Sequence, residues 1–253
     1  MILETEGIVL RQVKTLNGKR MLVIFTKKKG KISVGSTLTE GGRNKSALAS
    51  RPFTYANYNI FCSRELYNLN SAQSIQSYYG IGDDVDRYMA ASYVLELTDK
   101  LLVEEQPQPR MFKILEEFLK AIEKREKSHS TLVLCYMVKA LDIQGMFPEL
   151  SRCTACGKEY KKAANTFFSV KEGGYICSDC AKEIADVDEE PLIYNVNFDI
   201  INILNYFKDK PFSAFENLAL EQKVENKLSE IIKNCLYYYF EIGGLKSERI
   251  GGI

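Results

Sequence analysis

Arg20-Met21-Leu22-Val23-Ile24-Phe25-Thr26-Lys27-Lys28-Lys29-Gly30-Lys31-Ile32-Ser33-Val34-Gly35-Ser36 holds two short apolar runs separated by a cationic tip that ends at a glycine. Arg20 to Thr26 and Lys31 to Ser36 read as strands, and Lys27 to Lys31 as the tip of the hairpin that joins them. Similar runs lie on either side. Glu6 to Arg11 precedes a Leu16-Asn17-Gly18 turn signal, Pro52 to Cys62 is long and aromatic, and Leu66 to Tyr79 supplies a fifth strand. Thr37 to Ser50, with two glycines and many polar residues, reads as a loop. Five short strands broken by Gly and Asn signals indicate a small barrel or a sandwich.

The period changes near Gly80. Asp83 or Asp84 is placed to cap a helix running to about Glu105, with Tyr88, Ala91, Leu95, Thr98 and Leu102 at helical spacing. Further helices are expected over about 110–127, 130–144, 199–209 and 216–241, the last ended by Gly243-Gly244. The chain thus divides into a β domain, residues 1–80, and a helical domain, residues 81–253.

The helical part is interrupted by Cys153-Thr154-Ala155-Cys156-Gly157 and Cys177-Ser178-Asp179-Cys180. Each pair is C-x2-C, and the two-residue gap lets both sulfurs of a pair face one ion. Two such knuckles supply the four soft ligands that tetrahedral zinc requires, so Cys153, Cys156, Cys177 and Cys180 are expected to hold one structural Zn2+ per chain. The insert would span about 150–182. Four thiolates leave no open position for a catalytic water. The sole histidine, His129, lies in a charged stretch between two helices and reads as a surface residue.

The net charge of +1 hides an asymmetry: residues 1–80 hold 12 Lys and Arg against 4 Asp and Glu, and residues 81–253 hold 22 against 29. Between residues 11 and 51 the only acid is Glu40. Arg11, Lys19, Arg20, Lys27, Lys28, Lys29, Lys31, Arg43, Lys45 and Arg51 form the candidate nucleic-acid-binding set, since such clusters hold phosphates by charge neutralisation and counterion release. Phe53, Tyr55, Tyr58 and Phe61 follow, and neighbours along a strand face opposite sides, so at least half of them belong to the core. The remainder are candidate stacking platforms for bases.

No enzyme signature is present. Gly41-Gly42-Arg43-Asn44-Lys45-Ser46 has Asn44 where a phosphate loop needs glycine, there is no G-x-G-x-x-G, and one histidine gives no attractive triad. No apolar run reaches the length of a membrane span, and Met1-Ile2-Leu3-Glu4 does not open like a secretory signal, so a cytoplasmic protein without membrane contact is expected.

Taken in order, Gly7-Ile8-Val9-Leu10, Phe25-Thr26 before Gly30, Gly42-Arg43 with Lys45-Ser46, Arg51-Pro52-Phe53, then Gly145, Phe147-Pro148, Cys153-x-x-Cys156-Gly157 and Leu245-Lys246-Ser247 resemble the RecO family of bacterial DNA repair proteins. The resemblance spans nearly the whole chain. It implies an α+β multidomain protein: an N-terminal OB-fold β-barrel, then an α-helical domain with a four-cysteine zinc-ribbon-like insert. It also implies a non-enzymatic recombination mediator at the nucleoid. Such a protein binds single- and double-stranded DNA, anneals complementary strands and helps load recombinase onto strands coated by single-strand-binding protein (SSB). The implied partners are a RecR-like protein and the SSB tail. The acidic helical part suits an alternative, a zinc-bearing protein-interaction adaptor with little direct DNA binding.

Overall fold

The computed structural model describes residues 1–14, 20–36, 45–63, 66–160, 166–196 and 198–248, without the side chains of Lys45 and Ser46. Strands β1 (Ile2–Lys14), β2 (Arg20–Thr26), β3 (Gly30–Ser36), β4 (Tyr55–Ser63) and β5 (Leu66–Gln76) close into a barrel in the order β1-β2-β3-β5-β4. Of the two architectures compatible with the strand pattern, the chain adopts the barrel. β1 pairs antiparallel with β4 from Ile2↔Phe61 to Ile8↔Tyr55, and with β2 from Gly7↔Thr26 to Lys14↔Arg20. Its register shifts between Val9 and Arg11, a bulge that bends the strand from one partner to the other. Parallel pairing of Val34 with Tyr67 and Gly35 with Asn68 completes the closure. Side chains alternate as a strand requires: in β3, Ile32 and Val34 are buried, and Ser33 between them is exposed. Val9, Leu22, Ile24, Tyr58 and Ile60 join them in the barrel core.

β1 starts at Ile2, earlier than the expected Glu6, because the pairing with β4 recruits Ile2 to Thr5, a stretch too short and too interrupted by Glu4 to show as a strand by itself. In the stretch expected to be loop, Lys45–Leu48 forms one helical turn, α1, and residues 37–44 lie outside the described residues.

Two helices complete the first compact unit, Met1–His129 with Gly244–Ile253. Asp84 caps α2 (Val85–Leu101) by accepting the Arg87 N–H at 2.7 Å, as its position suggested. Pro109 occupies the first turn of α3 (Pro109–Lys124), where its missing N–H costs nothing. The unit extends beyond Gly80 because α2 and α3 pack on barrel aromatics: Phe112 lies 5.3 Å from Phe25 and 6.0 Å from Tyr55, and Tyr88 lies 5.4 Å from Phe53, between ring centroids. α2 ends at Leu101, short of Glu105. The chain then turns extended, and Glu105 donates its N–H to the Lys31 carbonyl at 2.9 Å. Gly30 lets this approach happen. Its φ is 70°, and a Cβ there would sit 2.1 Å from the Gln106 carbonyl oxygen.

The second unit, Ser130–Gly243, is described by itself. Helix α4 (His129–Ile143) is buried without a break from Thr131 to Val138, the signature of a core helix. His129 is half-buried rather than free on the surface, with Nε2 3.1 Å from the Arg125 carbonyl oxygen. A three-stranded sheet, β7 (Gly174–Ile176), β6 (Thr166–Ser169) and β8 (Ile193–Val196), surrounds the cysteine region with α5 (Ser178–Val187). α6 (Ile200–Asp209) and α7 (Gln222–Phe240) complete the unit. α7 begins at Gln222, later than Glu216, and Phe212–Phe215 ahead of it forms a separate 3-10 turn whose rings pack together. It ends with Glu241 in the left-handed region (φ 56°), ahead of Gly243-Gly244.

Lys246 and Ser247 are tied back to α2. Both Glu96 carboxylate oxygens accept hydrogen bonds, from the Lys246 and Ser247 N–H groups at 3.0 Å each and from Ser247 Oγ at 2.8 Å. Burial pushes the Glu96 carboxyl up, but these donors outweigh it and hold it below its ordinary value of 4.5. A depressed folded-state pKa means the tether contributes fully above about pH 4.5 and is lost as pH falls through the folded value. Glu96→Ala should destabilise the first unit by about 2 kcal/mol at neutral pH and by less at pH 3, as read from denaturant midpoints at the two pH values. Equal losses at both would rule the charged tether out.

Candidate functional site

Two features stand out, a four-thiol cluster in the second unit and the basic barrel surface in the first. In the cluster, the Sγ atoms of Cys153, Cys156, Cys177 and Cys180 all lie within 4.8 Å of one another, so the cysteines singled out by spacing converge and could hold a metal ion. Sulfurs placed tetrahedrally at about 2.3 Å from zinc are about 3.8 Å apart. Cys156 and Cys177 are separated by 3.8 Å, and the donor set fits the ion.

The backbone explains the convergence. The Gly157 N–H bonds the Cys153 carbonyl at 2.8 Å and closes the first knuckle, with Gly157 at φ 75°. The second knuckle leaves β7 at Cys177 and puts Cys180 on the first turn of α5. The Cys177 N–H points at Cys153 Sγ, 3.3 Å away, and so joins the two knuckles. Burial pushes the Cys153 thiol up, but the N–H groups of Cys177, Cys156 and Ala155 outweigh it and leave it lowered to about 7, favouring the thiolate that binds metal. The lead-in segment is stitched to β7: Tyr175 N–H to Glu149 O, Glu149 N–H to Gly173 O and Thr154 N–H to Tyr175 O are each 2.9 Å. A Cβ on Gly174 would lie 2.1 Å from the Glu149 oxygen, so this close pairing requires glycine. Tyr160 stands edge-on to Tyr175 at 5.0 Å. Spacing singled out the four cysteines that converge, but not these supports. Because β8 pairs with β6 from Ser169↔Ile193 to Thr166↔Val196, the module runs past residue 182 to Val196.

On the barrel, Lys27, Lys28 and Lys29 form the β2–β3 turn, as the sequence indicated. The structure gives Arg11, Lys27, Lys29 and Lys31 acidic partners from elsewhere in the unit. Arg11 Nε is 2.7 Å from Asp99 Oδ2, and Lys31 Nζ is 3.3 Å from Asp99 Oδ1. Lys29 Nζ is 3.0 Å from Glu105, whose other oxygen accepts the Tyr67 hydroxyl at 2.8 Å. Lys27 pairs with Glu6 and donates to the Tyr55 hydroxyl oxygen at 2.8 Å, and that hydroxyl donates to Glu6. Burial works against the Lys27 ammonium, yet Glu6 and Tyr55 raise its pKa well above the ordinary lysine value; Lys27 in turn lowers Glu6. Among the described residues, Lys28 is the one tip lysine without an ion pair, and it is exposed. Arg51 is exposed and Arg20 half-buried. Lys19 and Arg43, and the side chain of Lys45, lie outside the described residues. Asp99 and Glu105 are 88 and 76 positions from Arg11 and Lys29, so no local pattern announces them.

Of the four aromatics that follow, Phe53, Tyr55 and Tyr58 are buried, and Phe61 is 49% exposed. Tyr58 closes the barrel core, donating its hydroxyl to the Ala49 carbonyl at 2.7 Å. Phe61 alone of the four keeps a face for stacking. Among the described residues, no helix is long and apolar enough to cross a membrane.

A closed barrel with this strand order, followed by helices that carry a four-cysteine cluster, defines an OB-type barrel protein with a helical extension. Residues 1–78 match the family described as Recombination protein O N terminal, and residues 82–249 match Recombination protein O C terminal. The chain belongs to this family, so the resemblance drawn from its motifs holds, and with it a role in DNA repair and recombination. It is 31% identical over 245 residues to the DNA repair protein RecO of Alkaliphilus metalliredigens, with 95% of each chain covered. The DNA repair protein RecO of Bacillus subtilis is 28% identical over 252 residues, covering 98% of this chain and 93% of the relative. That of Acetivibrio thermocellus is 29% identical over 232 residues, covering 90% and 88%.

Protein purified without chelator is expected to carry one equivalent of tetrahedrally bound metal, measured by elemental analysis. Cys177→Ser should lose it and open residues 149–196 to amide exchange while the barrel stays protected, because structural metal sites supply local folding energy of about 10–16 kcal/mol in small zinc domains. Gly174→Val should weaken metal retention too, although it touches no ligand. Full metal occupancy in both variants would refute the geometry described.

Proposed function

We propose that this chain is a non-enzymatic mediator of recombination. It anneals complementary single strands and helps load a recombinase onto DNA coated by single-strand-binding protein. The observation that carries the reading is the family match of both halves, in order, along the chain. Residues 1–80 serve as the DNA-binding domain, and residues 81–253 as the helical domain. The four thiols take one zinc ion per chain, whose filled shell makes it a structural staple. The mediator works in the cytoplasm at the nucleoid with single- and double-stranded DNA, a RecR-like partner and the tail of the single-strand-binding protein.

The mechanism is passive. Cations on the barrel screen the repulsion between two phosphate backbones while the bases stay free to pair. Exposed ion pairs contribute little to folding, so a phosphate can displace Glu105 from Lys29 at small cost. Lys28 and Arg51 meet phosphate without such an exchange, and Arg11, Arg20, Lys27 and Lys31, with Lys19, Arg43 and Lys45, complete the proposed face. The pairing of Lys27, Lys29 and Lys31 with acids favours a second reading, an adaptor with little direct DNA binding.

The two readings separate in one experiment. Annealing of complementary strands pre-coated with single-strand-binding protein should accelerate on adding this protein. Single-strand affinity, followed by anisotropy between about 50 and 200 mM salt, should fall steeply. Lys28→Ala should make the slope of log K against log salt shallower by about 0.7, and Lys27→Ala by much less, because Glu6 already neutralises that charge. A flat salt dependence with no annealing would leave the adaptor.

A further inference from the structure

A pocket of about 400 Å³ opens on the first unit where β1, the turn before β4 and the start of α2 meet. We propose that it holds one unstacked nucleotide of single-stranded DNA, its base against an aromatic wall and its phosphate on Arg51. The proposal rests on the DNA-binding reading and names a site for it that none of the tip lysines lines.

The size suits such a ligand, at the lower end of the range for small-molecule pockets. Tyr79 and Tyr88 supply the exposed rings of the wall, and the buried Phe53 backs Tyr88, with ring centroids 5.4 Å apart and planes inclined at 80°. Tyr88 is 47% exposed and Tyr79 is 71% exposed, although both line the pocket. Large rings left in contact with water on a concave surface are what a base needs for stacking, and stacking tolerates any sequence.

The polar lining matches a nucleotide's mixed charge. Arg51 and Asp83 share this lining, yet among the described residues neither has an ion-pair partner. A nucleotide brings a phosphate for the guanidinium, and the amino-bearing bases bring a donor for the carboxylate. Gln12 also lines the pocket, and its amide nitrogen is buried without a hydrogen-bond partner among the described residues. Buried donors are rarely left unpaired, and the carbonyl or ring nitrogen of a base would supply an acceptor.

The backbone offers an independent observation. Phe53 (φ 64°) and Tyr78 (φ 44°) both line the pocket in the left-handed region, which bulky residues seldom occupy. Strain of this kind persists where the surroundings enforce it, and it concentrates at binding sites. Here it lies on both chain segments that frame the opening.

The test uses the full-length protein and an oligo(dT) of about 12 nucleotides with one central 2-aminopurine, a length within the usual range of a single barrel. Binding should change the 2-aminopurine emission. Tyr79→Ala and Tyr88→Ala should each weaken binding about ten-fold, and the double variant should abolish the emission change. Tyr88→Phe should retain both affinity and signal. Lys28→Ala should weaken binding but keep the emission change at saturation. Tyr79→Ala and Tyr88→Ala proteins that bind and report like wild type would overturn the pocket while leaving DNA binding in place. So would free 2-aminopurine deoxynucleoside monophosphate binding as tightly as the oligonucleotide, which would make this a free-nucleotide site. If wild type bound no oligonucleotide at all, the DNA-binding reading would fall and the pocket with it.

Discussion

Strand β1 is hydrogen-bonded along both of its edges, and the barrel exists because of that double pairing. Its first half holds β4 and its second half holds β2, with the shift between Val9 and Arg11 turning the strand from one to the other. Without that turn the five strands would form an open sheet with two unpaired edges, and Ile24, Val34 and Tyr58 would lack a common interior. Closure also fixes where the β2–β3 tip emerges, against the extended segment after α2. There Gly30 meets Gln106, and the Lys31 carbonyl accepts the Glu105 N–H.

That docking changes what the basic charge means. Summed along the sequence, the first 80 residues look like a strong phosphate-binding surface. In the fold, Asp99 sits between Arg11 and Lys31, Glu105 beside Lys29, and Glu6 beside Lys27. The helical part lends its acids to the barrel, so the field at the tip is weaker than the count implies. The Lys29–Glu105 pair is exposed and holds loosely, whereas Lys31–Asp99 is largely buried, so the acids weaken the positive field of this face without removing it. Counterion release counts only the cations that phosphates still neutralise, which makes the salt slope a direct reading of how many remain available.

The four-thiol module rests on a different constraint. Its strands are three or four residues long, too short to bury a core of their own. Its four thiols come from two segments of chain drawn together by the Glu149–Thr154 stretch lying along β7. A metal ion at the meeting point of those segments would replace the missing apolar core with coordination bonds, while the N–H groups around Cys153 favour its thiolate.

Much of this was legible from sequence because it depends on near neighbours. The Arg20–Thr26 strand, the hairpin tip, the Asp84 cap and the two C-x2-C knuckles are local patterns, set by side-chain shape, backbone φ and the reach of a few residues. The order of motifs also carried the family. The tertiary structure decided what depends on pairing between distant segments. It extended β1 to Ile2 and chose a barrel over a sandwich. It formed the small sheet from strands of three or four residues, too short for their β-branched and aromatic residues to show a period, and carried the four-cysteine module on to Val196. It also brought Asp99 and Glu105 to the lysine tip and assembled Gln12, Arg51, Tyr79 and Tyr88 around one pocket. A sequence lists charges and rings in chain order, but the Coulomb and stacking interactions of a surface depend on distances through space, which only closure of the barrel and docking of the helices fix.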